Sequence, residues 1–232
     1  MNLIKTICIA MLAVVIAAPA ANAQRGKTAA EYKKTLASGI TKSDNGDFFI
    51  NIKFNAPKEV AEAASDIPLA LLTLLFYVDP KMDFHRFNKI MRKETGGKDT
   101  FYVSDTLNAA DKYLAASNMQ LKKINFSPNN ARLKINQGLP LFLSISDAPE
   151  LDKVLARSKL RPQSGDLKEW EKSLAKTQVK NFSATKTSVW FCLLVGYNKG
   201  TSEFAVLLKN KTYWFTEAEL KKIISSSYEL RI

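Results

Sequence analysis

The sequence predicts an α+β domain in which N-terminal helices pack on a largely antiparallel C-terminal sheet. Three observations carry that expectation. Ser188 to Leu208 holds two apolar runs around Asn198-Lys199-Gly200-Thr201, and a glycine-containing loop between β-rich runs signals a hairpin. Leu69 to Val78 is apolar almost all round, the pattern of a buried helix. Helical patterns dominate the first half of the chain and strand patterns the second, the order of an α+β fold.

The N-terminus reads as a targeting segment. Met1 to Lys5 is a short basic region, Ile7 to Ala18 is apolar, and Ala21-Asn22-Ala23 is a small-x-small cleavage site, so the expected cut follows Ala23. Residues 1–23 are then a signal peptide, 24–56 an N-terminal extension of helix and strand, and 57–232 the main domain. The apolar stretch is short for a membrane span, and no other run is long enough after the signal is removed. The expected location is secreted or periplasmic. Cys8 leaves with the signal, so Cys192 alone remains and no intramolecular disulfide can form.

Along the chain, Thr28 to Ala37 has the spacing of a short helix. Asp44-Asn45-Gly46-Asp47 is a turn, and Phe48 to Phe54 alternates as a strand with Phe48, Ile50, Ile52 and Phe54 on one side. Ser65 or Asp66 can cap the buried helix, with Pro68 in its first turn and Asp79-Pro80 ending it. Asp83 to Lys93 is a second helix with Phe84, Phe87, Ile90 and Met91 inward. Ser104 caps a third, to Ala116, with Leu107, Ala110 and Leu114 inward. Leu121 to Phe126 is a strand. Ser127-Pro128 starts a short helix that Gly138 ends, and Leu139 to Ser146 is a buried strand. Two lysine-rich helices follow, at Glu150 to Leu160 and Gly165 to Gln178. After the hairpin, Thr212 to Phe215 is a strand, and Thr216 with Glu219 forms a capping box for a helix from Glu217 to Ile224. Tyr228 to Ile232 returns as a last strand.

The chain carries a net charge of +12. Its lysine pairs, such as Lys122-Lys123 and Lys221-Lys222, are scattered, which reads first as a solvated surface and second as a face for an anionic polymer or membrane. Nucleic acid is not an expected partner, because no binding motif is present. No cofactor or metal is expected either. One histidine and one retained cysteine cannot close a zinc site, and Gly96-Gly97-Lys98 lacks the glycine spacing of a phosphate loop. A thiol hydrolase would have to pair Cys192 with His85. His85 falls on the outer side of its helix and Cys192 within an apolar strand, where burial keeps a thiol inert.

Three stretches resemble the papain-like cysteine peptidase superfamily, closest to the bacterial peptidases that trim double-glycine leaders from bacteriocins. Ser65 to Val78, SDIPLALLTLLFYV, is similar to the C-G-P-x-S-L helix that carries the nucleophile. Asn136 to Ile145, NQGLPLFLSI, is similar to the G-x-P-apolar strand. Trp190 to Leu207 is similar to the H-x-x-x-x-x-G-Y-(N/D) hairpin that carries the histidine. The resemblance implies a papain-like fold over roughly Pro57 to Ile224. The nucleophile position falls on Ser65 or Asp66, the histidine position on Trp190, the oxyanion glutamine on Glu59 or Val60, and the final acid or amide on Leu208 or Lys209. No catalytic residue is kept, and tryptophan cannot shuttle protons. The expected function is therefore a catalytically inactive, papain-like module that binds a peptide or protein segment, with Trp190 and Tyr197 as cleft contacts. The alternatives are an active peptidase with displaced residues, using Ser65 or Cys192, and a basic module for anionic envelope polymers.

Overall fold

A run that is apolar at every position, as Val189 to Val195 is, needs cover on both faces, and the strand Val189–Asn198 that contains it has strand partners on both edges from Leu193 to Tyr197. The computed structural model of the chain describes residues 30–31, 34, 36, 39–50, 52, 69–96, 103–146, 149–157, 189–208 and 211–232. In chain order the elements are β1 (Ile40–Lys42), β2 (Asp47–Ile50), α1 (Leu69–Val78), α2 (Phe84–Glu94), α3 (Val103–Ala115), β3 (Gln120–Ile124) and α4 (Pro128–Asn136). They continue with β4 (Leu141–Ser146), α5 (Pro149–Arg157), β5 (Val189–Asn198), β6 (Glu203–Leu208), β7 (Lys211–Thr216), α6 (Glu217–Ile223) and β8 (Ile224–Arg231). The fold is mixed α+β, as expected.

Among the described residues, eight strands form one sheet in which every pairing is antiparallel. Its path runs β1-β2-β5-β4-β8-β3, with β6 and then β7 on the other side of β5. One edge of β5 is shared. β4 takes Val189 to Leu194 and β2 takes Gly196 to Asn198, while β6 occupies the opposite edge. The order of helices first and sheet afterwards is thus only half right. Residues 40–50, inside the expected N-terminal extension, and β3, between two helices, belong to the same sheet as the C-terminal strands. Their partners lie far along the chain, which no local pattern displays.

A register shift between Leu194 and Gly196 leaves Val195 as an extra residue opposite β6, a β-bulge. It inverts the alternation of β5. Trp190, Cys192, Leu194 and Tyr197 consequently share one face with Ile145, Leu143, Phe204 and Val206. The short helix α4 lies on this face. Asn136 accepts a hydrogen bond from the Tyr197 hydroxyl at 2.9 Å, and the Arg132 guanidinium sits 5.1 Å over the Phe204 ring. The other face carries Phe142 stacked on Phe191 at 5.4 Å, and Phe49 edge-on to Trp214 at 5.2 Å. β2 therefore packs on both sides, not on one, with its two phenylalanines half-buried: Phe48 stacks on Tyr197 at 4.8 Å while Phe49 packs behind.

Ion pairs fix both flanks of α4. On one side Glu229 of β8, 5% exposed, takes Arg231 Nε at 2.6 Å, Lys134 Nζ at 3.2 Å and Asn130 Nδ2 at 3.4 Å. Burial alone would raise this carboxyl, but the hydrogen bonds from Arg231, Asn130 and Lys134 outweigh it and hold it below the usual carboxylate range. On the other side Arg132 reaches Glu217 at 3.8 Å.

The helices form as their sequences direct. α1 has no polar face and buries Leu71, Leu72, Leu74, Leu75 and Phe76. Tyr77 donates to the Gly138 carbonyl at 2.8 Å, and burial pushes its phenol well above the ordinary value. Gly138 itself sits at φ 75°, the left-handed end that a helix terminus favours. Asp83 caps α2 by accepting from the Arg86 N–H at 3.0 Å. Tyr113 of α3 joins the two preceding helices: it donates to Asp79 at 2.9 Å and accepts from the Asp83 N–H at 3.0 Å. Burial, then the bond to Asp79, pushes its phenol up to about 12. The capping box at Thr216 and Glu219 is present.

Two boundaries change how a residue is read. α3 begins at Val103, so Ser104 lies inside the helix and is not its cap. β8 begins at Ile224, directly after α6. Its serine-rich start reads as loop in isolation, but Ser226 pairs with Ser144 of β4, Oγ to Oγ at 2.5 Å, and Ser227 donates to the Ile124 carbonyl at 2.8 Å. Of the helix expected at 28–37, Ala30, Glu31, Lys34 and Leu36 are helical and Leu36 is buried. The helix expected at 165–178, the signal peptide and the start of α1 at 65–68 lie outside the described residues. No helix among the described residues is long and apolar enough to cross a membrane.

Candidate functional site

The motif Gly196-Tyr197-Asn198 closes β5, and each residue has a structural task. A Cβ on Gly196 would stand 2.5 Å from the Phe48 carbonyl oxygen and 2.8 Å from Phe49 Cδ1, so the glycine is what lets β2 approach. Tyr197 is 6% exposed and spends its hydroxyl on Asn136. It lies in the core and forms no open cleft wall. Asn198, 3% exposed, donates to the Asn45 carbonyl at 3.0 Å and to Asp47 Oδ1 at 2.5 Å, and its own oxygen accepts from the Thr201 N–H at 2.7 Å. One amide thereby braces the β1–β2 turn against the β5–β6 turn, and the Lys199 N–H adds a bond to the Gly46 carbonyl at 3.0 Å. Asn198→Ala is expected to lose about 2 kcal/mol of stability by leaving these groups unpaired. Urea unfolding checks it, and an unchanged midpoint would refute the bracing role.

Trp190 stands at the other end of β5, opposite Ile145. It is partly buried and packs against the hydrophobic core. The bulge puts Trp190 and Tyr197 on one face, but they are separated by about 20 Å of strand. The two expected contacts are not brought together. Trp190 is the one that keeps exposed surface.

The positions expected for a nucleophile, Ser65 and Asp66, and for an oxyanion glutamine, Glu59 and Val60, lie outside the described residues. Leu208, expected where a final acid or amide would stand, is a 1% exposed apolar residue at the end of β6, and Lys209 is outside the described residues. Cys192 is fully buried among Leu143 and its strand neighbours, and burial pushes its thiol far above the ordinary value. His85 is exposed on α2. No thiolate is available to pair with it. Among the described residues no group of three His, Cys, Asp or Glu side chains is placed to hold a metal ion.

Two features escaped the sequence reading. The four-member cluster at Glu229 joins residues 130, 134, 229 and 231 across two elements and has no sequence signature. The second is a concentration of basic residues on α2. Its spacing at 86, 89 and 93 was legible as one helical face, but counting adjacent lysine pairs passes over it. A scan against known protein families finds no match to this chain, and a search of curated proteins finds no relative.

Proposed function

We propose that the protein is an exported, papain-like domain that has lost peptidase chemistry and binds a peptide or protein segment beside Trp190. The observation that carries this reading is the replacement of the histidine position by a half-buried tryptophan, six residues before a Gly-Tyr-Asn that serves the fold. The order of buried helix, strand and hairpin supports the family resemblance, and the inert Cys192 thiol supports the loss of chemistry. A rigid, half-buried aromatic supplies contact area at small entropic cost.

The test begins with a broad peptide library incubated with the purified chain from Gln24, beside Ser65→Ala and Cys192→Ala variants. No cleavage is expected from any of the three. Cleavage by the parent that one variant abolishes would overturn the reading and name the nucleophile. Peptides selected by binding are then compared on Trp190→Ala and Trp190→Phe. A loss of about tenfold or more on the alanine variant, with partial rescue by phenylalanine, is expected for an aromatic contact. Equal affinity for all three proteins would remove Trp190 from the site.

A further inference from the structure

The helix α2 carries five basic side chains, His85, Arg86, Lys89, Arg92 and Lys93, and all five are exposed. At 100° per residue they fall within an arc of about 120°. Phe87 and Met91 on the opposite side are buried, and Phe84 and Ile90 pack against the core. The helix has one acid, Glu94, and it is paired with Lys112 of α3 at 2.5 Å. Among the described residues no carboxylate pairs with Lys89, Arg92 or Lys93.

The charges are crowded along the helix rather than at its ends. Asp83 at the N-cap and Arg92 and Lys93 in the last turn suit the macrodipole, while Arg86 in the first turn opposes it. Lys89 has like charges at three and four positions, Arg86, Arg92 and Lys93, and each such neighbour is destabilising. A solvated face needs no such crowding, whereas an anionic partner relieves it. The geometry also restricts the partner. The face is a convex ridge about 12 Å long, with Arg86 and Lys93 on one row, His85 and Arg92 on another, and Lys89 between. A linear polyanion lying on the ridge engages one row. A plane of anionic headgroups meets both. The apolar side of α2 is committed to the core, so contact is adsorption without insertion.

We infer that α2 is a docking face for an anionic phospholipid surface, whose headgroup phosphates are met by Arg86, Lys89, Arg92 and Lys93. This is independent of peptide binding at Trp190. The test is co-sedimentation of the purified chain from Gln24 with vesicles of phosphatidylcholine, with and without phosphatidylglycerol. Partition is expected only with phosphatidylglycerol and disappears in 1 M salt, where the screening length falls to about 3 Å. Each headgroup-facing cation contributes about fivefold, so Lys89→Gln with Lys93→Gln weakens partition about twenty-five-fold. Lys122→Gln with Lys123→Gln removes the same charge from β3 and leaves partition within about twofold. No partition on phosphatidylglycerol overturns the inference, as does an equal loss from the two double variants. Binding to soluble polyphosphate that depends on Lys89 and Lys93, without vesicle binding, replaces the surface with a polymer.

Discussion

Gly196→Ala is expected to cost about 3 kcal/mol, the upper end of what overpacking a well-filled site does. The added methyl meets the Phe48 carbonyl oxygen, the Phe49 ring and, at 3.3 Å, the Ala205 Cβ. Two of these belong to β2 and one to β6, so no single side chain can swing aside. The methyl has to push β2 away from β5, and with it go the Phe48–Tyr197 stack and the Asn198 brace. Urea unfolding should show a lower midpoint, and near-ultraviolet circular dichroism a loss of aromatic signal. A midpoint within experimental scatter of the parent would mean that β2 is not seated on β5 as described.

Glu229→Ala is expected to cost about 3 kcal/mol near neutral pH, because it strands Lys134, whose side chain is 16% exposed, beside a void. The pH dependence has a definite sign. The folded carboxyl is held below its unfolded value of about 4.3. Its stabilisation is therefore complete above that value and is lost as pH falls through the folded one. A series of unfolding curves should show the parent losing stability below about pH 4, while Glu229→Gln, lacking the titration, declines less over the same range. Parallel curves for the two proteins would show that the cluster contributes no charge-dependent stability.

How much of this was legible in the residues depends on how far apart the interacting groups stand. The capping box at Thr216 and Glu219, the buried run of α1 and the hairpin at 189–208 each express a rule within about twenty residues, and each is where the sequence put it. The bulge at Val195 does not, because nothing in LLVGYN marks one residue as unpaired; Tyr197 consequently moved from a supposed cleft wall into the core. β8 was cut short because Ser225 to Ser227 has weak strand character until β4 and β3 supply partners on both sides. At the candidate site, the inertness of Cys192 followed from residue type and apolar context. The Glu229 cluster did not, since its members come together only through the sheet.

The topology has a consequence for how the chain reaches this state. Asp47 and Asn198 lie 151 residues apart, and Ser227 is 103 residues from the Ile124 carbonyl it binds. β2 and β4 share no edge with each other, and β3 and β4 are joined only by β8. During synthesis the early strands therefore have no sheet to enter until β5 and β8 have been made. Such contact order favours slow, late and cooperative closure over piecemeal folding from the N-terminus. Until then the nascent chain is a string of helices and open strand edges, a form that a holding chaperone has reason to shield.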